Sequence, residues 1–382
     1  MAIDTETFAL LLDAVRRFVA QRLIPNEVLV AETNRIPEGL VQEMRELGLF
    51  GLSIAPEHGG LGLSMEEEVR VVFELGRASP AFRSMAGTNI GIGSQAIVIA
   101  GSAAQRARYL PQLASGEIIG SFALTEPDAG SDAMSIRTSA RRDGEHYILN
   151  GTKRYITNAP VAGLFTVMAR TGDAIGADAI SCFLVEAGAP GLAIGKPDRK
   201  MGQAGALTCD VMFDECRVPA TALLGGVEGN GFRTAMKVLD KGRLHIAALC
   251  TGMAERLIAE AVGFARSRIQ FGQPISEFQL VQAMIADSQA DTLAARALVL
   301  DAARKRDAGD RITLEAACAK MFASEMLGRV ADRAVQIHGG AGYVSEYPVE
   351  RFYRDARLFR IFEGTTQIQQ LVIARETYRL FD

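Results

Sequence analysis

Apolar positions recur at helical spacing through the first third of the chain, change to short β-prone runs in the middle, and return to helical spacing to the end. Phe8 to Leu23 sets apolar groups at helical intervals, and Ser64-Met65-Glu66-Glu67 forms a capping box ahead of an apolar-periodic run to Leu75. Pro56 to Gly62 just before it reads as a loop. From about 121 onward, His146–Leu149 and Arg154–Thr157 are β-prone runs. Asn150-Gly151 between them reads as a hairpin turn, and Asp143-Gly144 offers another. Leu164–Ala169, Ile180–Val185 and Leu207–Phe213 continue the strand pattern. Long helices are expected over Gly231–Arg268, Leu280–Arg306, Leu314–Ile337 and Thr366–Leu380. The pattern predicts an α+β protein with an N-terminal α-helical domain (residues 1–120), a middle, mostly antiparallel β domain (121–230) and a C-terminal four-helix bundle (231–382).

Composition narrows the function. The chain of 382 residues is 48% apolar and 23% charged, ordinary for a globular protein with a large core. Lys and Arg number 41 against 45 Asp and Glu, a net charge of −4, which argues against a nucleic-acid partner. No apolar run approaches the ~20 residues of a membrane span. The five cysteines are scattered, odd in number and lack a C-x-x-C, so neither disulfides nor a metal site is expected, and the location expected is cytoplasmic. Arg16, Arg17 and Arg22 would suit a transit peptide, but Asp4, Glu6 and Asp13 fit an ordinary first helix better.

There is no G-x-S-x-G, P-loop, Rossmann fingerprint or metal-spaced histidine pair. His245 lies in a helical run and reads as a packed or surface side chain. His338 precedes Gly339-Gly340 at a helix end, where the dipole favours a cation.

Four segments carry a signal. Phe122 to Asp132 combines small residues, a Pro-fixed turn and the hydroxyls of Thr125 and Ser131; it reads as a close ligand approach or as a plain loop. Tyr155-Ile156-Thr157-Asn158 ends a strand. Arg268 to Ile275 breaks one long helix, and Arg268 there suits a pyrophosphate or simply a helix end. The fourth runs from Gln336-Ile337-His338-Gly339-Gly340 to Glu363-Gly364-Thr365-Thr366-Gln367, with a helix capped at Thr366 and Gln369 three later. Glu363 in apolar company would have a raised pKa and serve as a general base; the alternative is a carboxylate favoured by the helix dipole.

Together the order and spacing of these segments resemble the acyl-CoA dehydrogenase family over nearly the whole chain. The matching motifs are Leu124 to Asp132, Tyr155 to Asn158, Arg268 to Gly272, Gln336 to Tyr343 and Glu363 to Gln369. The resemblance implies FAD held between the β and C-terminal domains. Phe122, Leu124, Thr125, Gly130, Ser131, Tyr155, Ile156 and Thr157 would line the flavin. Arg268, Phe271, Gln336, Gly339 and Gly340 would reach the adenosine-diphosphate half of FAD in a neighbouring subunit. Phe278, Gln279, Thr365 and Gln367 would complete the site.

The resemblance also implies a homotetramer, a dimer of dimers, and electron-transfer flavoprotein as electron acceptor. Glu363 matches the family's base; Gly242 stands where some members place it instead. Ser131, Asp240, Arg243 and Gly364 match positions near the thioester. Two residues depart from the pattern: Tyr155 replaces the usual Trp beside the flavin, and Phe122 replaces a frequent Tyr. The implied reaction is α,β-desaturation of a saturated acyl-CoA to the trans-2-enoyl thioester, Glu363 taking the α-proton while hydride passes to flavin N5. An acyl-CoA oxidase, a dehydrogenase of acyl-carrier-protein thioesters and a non-catalytic flavin- or acyl-binding assembly protein are the alternatives. Gly87, Gly91 and Gly93 are expected to leave room for a longer or branched acyl group, or simply to pack helices.

Overall fold

The computed structural model describes residues 3–172 and 176–381. Helices come first: α1 (Thr5–Phe18), α2 (Glu27–Thr33), α3 (Glu38–Glu46), α4 (Met65–Leu75), α5 (Pro80–Ile90), α6 (Gln95–Ala100) and α7 (Ala103–Ser115). Asp4 caps α1 by accepting the Thr7 N–H at 2.8 Å, and a π turn over Val19–Leu23 carries the helix on. The capping box at Ser64 forms, and Asp307 from the far end of α9 (Gln279–Asp307) accepts the Met65 and Glu66 N–H groups at 2.7 and 2.9 Å. That carboxylate at the α4 N-terminus ties the first helical region to the last through the helix dipole.

The sheet follows: β1 (Gly120–Ala123), β2 (Ser139–Asp143), β3 (His146–Thr157), β4 (Leu164–Arg170), β5 (Ile180–Glu186), β6 (Leu192–Ile194) and β7 (Thr208–Pro219). Its pairings are antiparallel except that β4 runs parallel to β1 and meets β2 at one parallel bridge. Covered on both faces, β4 is buried from Leu164 to Ala169, and those residues are apolar except for Thr166, rather than alternating. Asp143-Gly144 makes the β2–β3 hairpin, with Asp143 opposite His146. The expected turn at Asn150-Gly151 does not exist. β3 passes straight through it with a register shift, because the Asn150 side chain binds Glu215 across the sheet instead of turning its own backbone. A second shift, between Lys153 and Ile156, frees Tyr155 from the ladder.

The last region holds α8 (Gly231–Ser267), the two-residue strands β8 (Ile269–Gln270) and β9 (Gln273–Pro274), α9, α10 (Thr313–His338), α11 (Pro348–Ala356) and α12 (Thr366–Tyr378). α8, α9 and α10 share a core of buried alanines, among them Ala247, Ala254, Ala295, Ala302, Ala323 and Ala331, whose small side chains let the helices approach closely. The sequence pattern missed α11, which is short and opens on Pro348. His338 closes α10 but does not behave as a dipole-favoured cation. It donates from Nδ1 to Ala334 O at 2.8 Å and stacks on Phe264, and burial lowers its pKa, so the neutral ring is favoured. Thr366 is not the cap of α12. Thr365 accepts the Ile368 N–H at 3.2 Å, while buried Thr366 donates to Glu325 at 2.6 Å. Among the described residues no helix is long and apolar enough to cross a membrane.

Candidate active site

One cavity lies where α5, the β1 and β3 ends, the start of α8 and the loop before α12 converge. Of the residues singled out from sequence, Phe122, Leu124, Thr125, Gly130, Ser131, Tyr155, Ile156, Thr157, Arg243, Glu363 and Gly364 line it.

The Leu124–Ser131 loop is pinned from beneath by a buried ion pair that the sequence reading missed. Lys153 Nζ sits 2.7 Å from Glu126 Oε1 and donates to Leu124 O at 3.1 Å. Glu126 also accepts the Thr138 N–H at 2.9 Å, and burial brings the Lys153 pKa down to about 8. Asn158, in the left-handed region, donates to Ser84 O at 2.9 Å and Thr88 Oγ1 at 2.8 Å, which fastens the Tyr155–Thr157 edge to α5. Tyr155 has a φ of 59° and is 59% exposed, with the Arg154 guanidinium 4.9 Å over its ring.

Glu363 also has a positive φ, 51°. For a non-glycine residue this costs of order 1 kcal/mol and persists where neighbours fix it. Here Gln369 Nε2 donates to Glu363 O and Gly364 O, both at 3.1 Å, and Lys320 Nζ donates to Gly364 O at 2.7 Å. The Glu363 carboxylate points back at α8, where a Cβ on Gly242 would lie 2.3 Å from Oε2. Oε2 is buried and has no hydrogen-bond partner. Burial raises the Glu363 pKa; the charges of Arg83, Lys320 and Arg243 pull against it. The expected apolar company is therefore half the picture: three cations share the neighbourhood. Arg243 pairs with Asp240 at 2.6 Å, and Asp240 accepts from Thr313 at 3.0 Å, so Asp240 braces the cavity without lining it.

His245 and Lys241 both hold the buried Glu68, each at 2.9 Å, so His245 is a packed side chain. Gly87 on α5, and Gly91 and Gly93 just past its end, do not simply leave room. Gly93 does not line the cavity, and the space beside Gly87 is filled by the Arg83 guanidinium.

The other sequence candidates lie away from the cavity. Arg268 caps α8 and is exposed. Phe271, with a φ of 51°, is 95% exposed and meets Phe278 edge-on. Gln279 and Gln336, Gly339 and Gly340 are exposed at the α9 start and the α10 end; Thr365 and Gln367 open α12.

Three family models match in order: the acyl-CoA dehydrogenase N-terminal domain over 5–117, its middle domain over 121–216 and its C-terminal domain over 229–378. The acryloyl-CoA reductase (NADH) of Anaerotignum propionicum is 43% identical over 95% of this chain and 92% of its own. The caffeyl-CoA reductase–Etf complex subunit CarC of Acetobacterium woodii is 38% identical over 94% and 95%. The butyryl-CoA dehydrogenase structure from Megasphaera elsdenii superposes with a TM-score of 0.95 at 35% identity, over 99% and 100% of the two chains. An acyl-CoA dehydrogenase from Bacillus anthracis complexed with FAD gives 0.91 at 32% identity, over 98% of this chain and 68% of that one. The full-length match in sequence, domain order and fold makes this chain a member of the acyl-CoA dehydrogenase family.

Proposed function

We propose that the chain is an FAD-dependent acyl-CoA dehydrogenase in which Glu363 exchanges the α-proton of an acyl thioester. One observation carries this reading. A buried carboxylate oxygen without a partner faces a cavity built from the Phe122–Ser131, Tyr155–Thr157 and Glu363–Gly364 segments. An orphaned buried acceptor calls for a proton or a ligand, and a carboxylate with a raised pKa is matched to taking a carbon-bound proton.

The residues present fit FAD. The Thr125 and Ser131 hydroxyls, the Tyr155 ring and the Ile156–Thr157 edge share one wall of the cavity, and a Cβ on Gly130 would meet nothing within 4 Å. Phe122, Leu124, Thr125, Gly130, Ser131, Tyr155, Ile156 and Thr157 would hold the flavin. Bound FAD supplies the two-electron acceptor. Ser131, Arg243 and Gly364 would border the thioester, with Asp240 behind Arg243. The Glu363 backbone N–H would donate to the thioester oxygen, where negative charge develops. Oε2 would then receive the α-proton, and its burial would keep water from it. Gly242 leaves the gap in which that carboxylate sits.

Arg268, Phe271, Gln336, Gly339 and Gly340 would serve FAD from across a subunit interface in a homotetramer, and Phe278, Gln279, Thr365 and Gln367 would complete the flavin site. The exposure of Arg268, Phe271, Gln336, Gly339 and Gly340 supports the interface role, since a residue turned away from its own cavity is free to meet a neighbour's. Electron-transfer flavoprotein is the electron partner we favour, on the strength of the related Etf-complex subunit.

The test is Glu363→Gln. The variant is expected to keep its yellow flavin and lose at least ~1,000-fold in acyl-CoA turnover, within the usual range for a lost general base. Near-normal turnover would sink the assignment.

A further inference from the structure

The charges around the cavity do not balance against an alkyl tail. Lys241 and His245 are engaged with Glu68, Arg243 with Asp240, and Lys320 with the Gly364 carbonyl. Arg83, on α5, is left over. It lines the same cavity as Glu363, is 7% exposed, and its Nε has no hydrogen-bond partner. The Glu363 charge reaches it through space without a hydrogen bond. Arginines are seldom buried unless paired, because their desolvation is costly. This one has a built seat: a Cβ on Gly87 would lie 2.8 Å from Cζ and Nη1 and 2.9 Å from Nε, so the guanidinium lies against the bare helix backbone.

An unbranched alkyl group in this cavity would cover that guanidinium with methylenes. Proton transfer to Glu363 would then remove its negative charge and leave only that of Glu68, which Lys241 and His245 already hold. An acyl group ending in a carboxylate answers both difficulties. Its two oxygens match the planar fork of an arginine, and its charge stays when Glu363 is neutralised.

We propose that the acyl cavity takes a short dicarboxylic acyl-CoA, and that Arg83 binds the distal carboxylate. The proposal rests on the acyl-CoA reading above and names its substrate class.

The experiment uses the FAD-loaded enzyme and thioesters matched in backbone length: butyryl- and succinyl-CoA, pentanoyl- and glutaryl-CoA, hexanoyl- and adipoyl-CoA. At one length or more, kcat/KM for the dicarboxylic member is expected to exceed its partner by about 10- to 100-fold, the range of a charge-assisted hydrogen-bonded contact. Arg83→Met should abolish or invert that ratio. In a Glu363→Gln background, where turnover is stopped, Arg83→Met should weaken binding of the dicarboxylic thioester more than that of its partner. Preference for the monocarboxylic member at every length overturns the proposal and leaves the dehydrogenase reading standing. So does a fall of both members in parallel in Arg83→Met with a displaced pH profile, since Arg83 would then act only on Glu363. Turnover of neither series overturns both readings. The wild-type comparison decides the substrate class even if Arg83→Met does not fold.

Discussion

Gly242→Ala is the sharpest probe of how Glu363 is placed. The new Cβ would stand 2.3 Å from Oε2 and 3.2 Å from Cδ. Ordinary contact is about 3.5 Å, so the carboxylate has to move by about 1 Å. It cannot carry its backbone along, because the Glu363 and Gly364 carbonyls are held by Gln369 and Lys320. A reacting group misplaced by about 1 Å costs on the order of 100-fold in rate. Stability should change little, since alanine regains roughly 0.5–1 kcal/mol over glycine inside a helix. The assay is anaerobic rapid mixing with a substrate thioester, following loss of the visible flavin band, with FAD content and Tm measured alongside. We expect bleaching slowed by on the order of 100-fold with flavin and Tm near wild type. A bleaching rate close to wild type would show that the position of Oε2 does not limit the reaction.

Other outcomes follow from the same geometry. Glu363 must be ionised to accept a proton and its pKa is raised, so kcat/KM should fall on the acid side at a pH above the ordinary carboxylate range. Lys320→Met removes a charge that lowers that pKa, so the acid limb should move to higher pH; a limb that stays put would refute the coupling. Lys153→Met strands Glu126 in the interior and should cost about 3–5 kcal/mol in chemical denaturation, with Glu126→Gln in the same chain recovering part of it. Tyr155→Ala should weaken FAD retention on gel filtration while sparing the Tm, because the ring is 59% exposed.

Much of this was legible in the chain because the signals are local. The four long helices of the last region fall within a few residues of the apolar pattern, and Ser64 caps α4 as its spacing requires. The failures came from tertiary partners. Asn150-Gly151 is a strong turn signal in isolation, but Glu215 on β7 takes the Asn150 side chain and β3 runs on. The cap of α12 moved one residue because Glu325 on α10 claims Thr366. Glu363 could be picked out by motif, but not the cations that set its charge environment. Arg83 and Lys320 lie far from it in sequence and look like ordinary helix residues. Gly87, Gly91 and Gly93 suggested empty space, and only the packing shows that a guanidinium fills the space beside Gly87.

The exposed turn carrying Arg268 and Phe271 has a consequence for inheritance. If each catalytic centre takes its base from one chain and its phosphate anchor from the next, two inactive alleles can rescue each other. Co-expressing Glu363→Gln with Arg268→Ala would create pairs in which one centre receives both lesions and the other receives neither. The mixed assembly would recover activity that neither parent shows, while Arg268→Ala alone would silence the centre of a normal chain assembled beside it and Glu363→Gln alone would silence only its own.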